Sequence, residues 1–106
     1  MSNPSPVRDS NGFLRDWQTW NPEIAEQFAL EEGIELGQKH WEILSLLRAF
    51  YEQYDASPAN RALVNYVKRT LGPDKGNSIY LMSLFPGSPA RVASRIAGLP
   101  KPKNCL

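Results

Sequence analysis

Residues 77–99 read NSIYLMSLFPGSPARVASRIAGL, and their punctuation decides the fold. Asparagine at position 77 accepts hydrogen bonds from free helix N–H groups, so it opens a helix, and Pro86 closes that helix because it has no N–H to continue with. Ser88-Pro89 repeats the start signal, with a capping hydroxyl followed by proline at the first helical position, where the missing N–H is of no consequence. Val92, Ala93 and Ile96 then return at helical spacing, and Gly98 supplies the left-handed residue that ends a helix. The stretch predicts two short helices, about 77–85 and 89–97, joined through a Pro-Gly turn.

Upstream the same grammar recurs. Ser57-Pro58 predicts a helix over about 58–71, carried by Leu63, Val64 and Val67 and ended at Gly72. Trp41, Leu44, Leu47 and Tyr51 form one stripe of a longer helix over about 37–54, with Ile43 and Phe50 beside it. Asn21-Pro22 opens a helix over about 22–32 that stops at Gly33. In the first twenty residues, DSNGFL carries an Asn-Gly turn signal and predicts a short hairpin. The expected fold class is mainly α: a compact bundle of about five helices with a short N-terminal β-hairpin and a flexible C-terminal arm. The 106 residues are read as one domain, with a head over 1–20, a helical body over 21–97 and the arm over 98–106.

Hydrophobic content of 42% and charged content of 22% are ordinary for a globular chain and argue against disorder. Apolar runs are too short for a membrane-spanning helix, and MSNPSPVRDSNG has no basic-then-apolar leader pattern, so a cytoplasmic location is expected. One cysteine excludes an internal disulfide, and one cysteine with one histidine is a poor set for structural zinc. A net charge of +1 conceals an asymmetry. Residues 1–56 hold four basic and ten acidic side chains, whereas residues 57–106 hold eight basic ones against Asp74 alone. Either the basic half meets a negative partner, RNA or an acidic protein face, or the two halves attract each other within one bipolar surface.

The single cysteine lies in GLPKPKNCL, residues 98–106. Gly98 releases the chain from the last helix, and Pro100 and Pro102 bias LPKP toward an extended arm of roughly 3.1 Å per residue, with a reach on the order of 20 Å. Lys101 and Lys103 favour the thiolate of Cys105, while the carboxylate at Leu106 opposes them. With no second cysteine in the chain, sulfur gained by Cys105 has to be passed to another molecule, unless the thiol is incidental to a surface tail. His40, beside Trp41, reads as a packing or capping residue. Trp17, Trp20, Trp41, Phe50, Tyr51 and Tyr54 read as core aromatics and not as a stacking platform. Glu31, Glu32 and Glu35 read as a solvated acidic face before a metal site. Arg91 and Arg95, with Ser94 between them, imitate the reading face of a helix-turn-helix, but GPDKGN is not a tight turn between helices.

KGNSIYLMSLFPGSPARVASRIAGLPKPKNC closely resembles the C-terminal signature of the DsrC/TusE family of sulfur-relay proteins, and EEGIELGQKHWEIL and RAFYEQYDASPANRALV are similar to the same pattern upstream. The resemblance covers the chain from about residue 12 onward. It implies a helical fold with a small N-terminal hairpin and a C-terminal arm whose penultimate cysteine, here Cys105, accepts sulfur as a persulfide and hands it on. Members with a second cysteine eleven residues earlier form a redox pair that serves dissimilatory sulfite reductase; here that position is Ser94, which cannot form a disulfide. The single-cysteine pattern implies a sulfurtransferase-type carrier without cofactor or metal. Its implied partners are a TusBCD/DsrEFH-type donor complex and an MnmA-like tRNA 2-thiouridylase, alone or with its tRNA, and no membrane. Within that reading Arg91, Arg95, Lys101 and Lys103 stabilise the anion or dock a partner, and Gly98 is the hinge. The alternative is a regulatory or accessory relative that no longer moves sulfur. The opening MSNPSPVRDSNGFL is shorter than the family's usual strand pair, and LVNYVKRTLG and PGSPARVAS drift from its commoner patterns, which bears on partner identity.

Overall fold

Helices form close to where the punctuation places them in the computed structural model, which describes residues 5–103. The elements are a 3-10 turn at Trp17–Thr19, then α1 (Pro22–Glu31), α2 (Gln38–Tyr54), α3 (Asn60–Leu71), α4 (Ser78–Leu84) and α5 (Pro89–Ile96). Asn21 and Asn77 cap as expected: their side-chain oxygens accept from Ile24 N at 2.9 Å and Tyr80 N at 2.8 Å. His40 closes the first turn of α2, its Nδ1 accepting from Gly37 N at 3.1 Å. Its Nε2 lies 3.0 Å from Leu84 O and its ring stands edge-on to Phe85, so the imidazole is a packing and capping group. Because Nδ1 accepts, Nε2 carries the proton that it donates to the carbonyl.

Two capping expectations are corrected. α3 begins at Asn60 and not at Pro58, because Ser57 Oγ donates to Pro100 O at 2.6 Å instead of capping its own helix. α5 does begin at Pro89, but Ser88 makes no side-chain cap. Asn60, from the start of α3, accepts from Ala90 N at 2.8 Å and closes that end across the fold.

The N-terminal hairpin is also corrected. Among the described residues there is no strand, only an isolated antiparallel bridge between Arg8 and Leu14. Asp9 turns the chain: its carboxylate accepts from Asn11 N and Phe13 N, and Gly12 sits at φ +85°. The pairing does not extend because Pro6 has no N–H to donate and Asp16 turns away to cap the 3-10 turn. Phe13 and Leu14 are buried, so the head is a turn pinned to the body by its apolar side chains.

α5 is the centre of the bundle and touches all four other α-helices. An isolated helix of eight residues is unstable in water. Here Val92 and Ile96 are buried, each contributing about 1.5–3 kcal/mol. Ala90, Ala93 and Ala97 are small enough for the neighbouring helices to approach closely. Ser94, also on this buried side, is 0% exposed, so the surface reading face imagined for Arg91–Ser94–Arg95 does not exist. Of the aromatics, Trp17, Trp20, Trp41 and Tyr51 pack against the core, whereas Tyr54 is half exposed beside Phe50.

Candidate functional site

The arm leaves α5 through a corner built from residues far apart in sequence. Gly98, at φ +75°, follows the cap residue Ala97. Its N–H donates to Arg95 O at 3.1 Å, and Leu99 N–H donates to Ser94 O at 2.9 Å. These are the two reversed bonds of a Schellman ending, which require a left-handed residue at this position. The indole of Trp20 lies over Gly98 so closely that a Cβ would stand 2.3 Å from Trp20 Cδ1. Trp20 Nε1 donates to Ile96 O at 2.9 Å, and Arg48 Nη1 donates to Ala97 O at 2.8 Å. Arg48 also donates to Trp17 O at 2.9 Å, and its guanidinium lies 4.3 Å from the centre of the Trp20 ring. Burial pulls the Arg48 pKa below its ordinary value, yet a guanidinium remains a cation there. The last carbonyls of α5 thus receive a positive charge and an indole N–H, which suits the negative end of a helix.

Beyond the corner the chain stays on the body. Leu99 is fully buried, Ser57 holds the Pro100 carbonyl, and Pro102 is buried between exposed Lys101 and exposed Lys103. The expectation of a flexible arm is corrected over 98–102, where the chain packs on the body because Leu99 and Pro102 are buried and Ser57 holds Pro100. Cys105, the expected nucleophile, lies outside the described residues.

The four cations expected beside the thiol are not equivalent. Lys101 and Lys103 are exposed on the arm, and Arg91 is half-buried on α5. Arg95 is engaged: Nη1 donates to Glu32 Oε1, Nη2 donates to Glu31 Oε1 at 2.8 Å, and Nε reaches Gly12 O at 3.4 Å. Arg8 clasps the same Glu31 through two bonds of 2.8 Å. The Arg8 guanidinium holds the Glu31 carboxyl below its usual 4.5, opposed by partial burial and helped by the charge of Arg95. Glu31 and Glu32 are therefore counter-ions that tie the head turn, α1 and α5 together. Lys75 Nζ likewise donates to Glu42 Oε1 at 2.8 Å. Part of the charge asymmetry is thus resolved inside the molecule, basic half against acidic half.

Sequence reasoning missed Trp20, Arg48 and Ser57 as parts of the arm's foundation, and Asn60 as the cap at the other end of α5. Nothing local marks them, since the Trp20–Ile96 bond joins positions 76 residues apart. Ser94, where the two-cysteine pattern has its additional thiol, is fully buried, and its Oγ has no hydrogen-bond partner among the described residues.

Comparison with known proteins bears on this arrangement directly. The family described as DsrC like protein matches residues 2–106. The chain is 49% identical over 98 residues to the sulfurtransferase TusE homolog of Haemophilus influenzae, covering 92% of this chain and 90% of that protein. It is 48% identical to the sulfurtransferase TusE of Sodalis glossinidius over 92% of this chain and 91% of that one. Among solved structures, Allochromatium vinosum DsrC superposes with a TM-score of 0.85 at 42% identity over the whole of both chains. The oxidized gamma-subunit of the dissimilatory sulfite reductase from Archaeoglobus fulgidus superposes with a TM-score of 0.79 at 42% identity, covering 95% of this chain and 92% of that one. The match spans the helical body, the corner at Gly98 and the arm, and the chain belongs to the DsrC-like family.

Proposed function

We propose that the chain is a cytoplasmic sulfur carrier in which Cys105 accepts a persulfide sulfur and passes it to an acceptor protein. The observation that carries this reading is the near-complete match to sulfurtransferases named TusE in a chain whose only thiol is Cys105. The Cys105 thiolate attacks the outer sulfur of a donor persulfide; the donor S–S bond breaks, the donor leaves as a thiolate, and Cys105 becomes the persulfide. No electrons are gained or lost overall, so neither metal nor redox cofactor is called for. The acceptor's thiolate repeats the step and leaves Cys105 as a thiolate again. A TusBCD/DsrEFH-type complex is the donor and an MnmA-like tRNA 2-thiouridylase the acceptor, so the final product is 2-thiouridine in tRNA.

The packed root changes how the arm works. Cys105 lies two positions beyond Lys103, a reach of about 7 Å at full extension. While Leu99 and Pro102 are seated, delivery depends on partners coming to the body, and a longer swing requires residues 99–102 to detach, with Gly98 as the fixed corner. Lys101 and Lys103 remain to favour the thiolate, whereas the Arg95 charge is neutralised by Glu31 and Glu32.

Incubation with a cysteine desulfurase, cysteine and the relay proteins adds the mass of sulfur to the wild type and not to Cys105→Ser. No added mass on the wild type, or equal mass on both, overturns the reading. A relative that no longer moves sulfur would also fail to restore thiolated tRNA to a strain lacking its own carrier.

A further inference from the structure

Ile79 is 84% exposed and Met82 44% exposed on α4, and neither contributes to the buried core. Met82 lines a groove of about 240 Å³ with Val64 of α3, Ser78 and Leu81 of α4, and Pro89, and Ile79 is exposed nearly one turn before Met82 on α4. Ile79 and Met82 are three apart and so lie on one side of α4. Arg61 and Lys68 stand one turn to either side of Val64 on the same face of α3, and both are exposed with no ion pair among the described residues. Asp74, ahead of α4, is the sole acidic residue of 57–106. An apolar slot on this basic half is therefore flanked by free cations.

We infer that the α3–α4 groove is a docking site for an acidic partner protein of the relay, which inserts an apolar side chain between Val64 and Met82 while its carboxylates meet Arg61 and Lys68. This rests on the sulfur-carrier reading. The groove is smaller than the roughly 300–1,000 Å³ of small-molecule sites, so it suits a side chain better than a metabolite. It has no aromatic lining on which a base could stack, which disfavours RNA. A second copy could offer Leu30, 79% exposed on the acidic half, but joining two unlike faces head to tail does not close into a dimer. Apolar anchors ringed by complementary charge are the pattern of protein docking, with the charges acting mainly on association rate.

The test uses full-length protein with the TusBCD-type complex and the MnmA-like thiouridylase from the same genome. Ile79→Asp and Met82→Asp each weaken binding to at least one of them by tenfold or more in calorimetric titration. Arg61→Glu with Lys68→Glu slows association with the same protein and lessens its salt dependence. All four sites are exposed, and circular dichroism checks that the fold is kept. Chemical loading of Cys105 by polysulfide is unchanged in every variant. The inference is overturned by wild-type affinity in the variants, by wild type binding neither protein, by changes confined to self-association in sedimentation, or by tRNA alone competing for the groove. The parent reading fails differently, by absence of sulfur on wild-type Cys105 whatever the groove variants do.

Discussion

Gly98 shows how much one residue's chemistry depends on its surroundings. A glycine after a helix is legible as a stop signal, and beside an arm it reads as a hinge. In the fold it is instead a corner where backbone handedness and the Trp20 indole both exclude a side chain. Gly98→Ala is expected to cost about 2–3 kcal/mol in urea unfolding, since left-handed strain alone is of order 1–3 kcal/mol and the indole must also move. A freely turning hinge would leave stability unchanged. Glu31 offers a second measurement at this scale. Its pKa is lowered in the fold, so its stabilisation is present above the ordinary value of 4.5 and is lost as pH falls through the folded value. Glu31→Gln should therefore be less stable than wild type at neutral pH, with the difference closing below about pH 4.5 and shrinking in salt because the carboxylate is 36% exposed. A gap that persists unchanged at pH 3 would assign the cost to packing instead of charge.

The helices reveal where local grammar holds and where a neighbour overrides it. Asn21 and Asn77 cap their own helices because the N–H groups three residues on are always within reach of the side chain. Ser88 carries the same signal but does not cap, since Asn60 from another helix has taken the Ala90 N–H. Asn60→Ala is predicted to cost about 0.5–2 kcal/mol, the range of a lost cap, while Ser88→Ala stays within about 0.5 kcal/mol. Thermal or urea unfolding of the pair decides it, and the reverse order would restore the local reading. The N-terminal head fails as a hairpin for a related reason. A turn signal specifies the turn, but a ladder also needs donors and partners on both sides, and Pro6 and the departing Asp16 supply neither.

Across the whole molecule, the acidic and basic halves meet through Arg95–Glu31, Arg95–Glu32 and Lys75–Glu42, leaving Arg61, Lys68, Arg69, Arg91, Lys101 and Lys103 of the basic half without an ion pair among the described residues. No helix among the described residues is long and apolar enough to cross a membrane. The sequence by itself determined to within a few residues where helices start and stop, which faces are apolar, and that one thiol follows a proline-spaced arm. Those properties depend on contacts within about four residues or on residue identity, and both are written linearly. Only the tertiary structure decided that Trp20 and Arg48 clamp the arm's root, that Asn60 caps α5, that Arg95 is paired, and that Ser94 is buried. Each of these joins α5 or its end to segments 30 to 76 residues distant, as the Asn60–Ala90 and Trp20–Ile96 bonds do, and no spacing in the chain specifies which distant side chain will arrive.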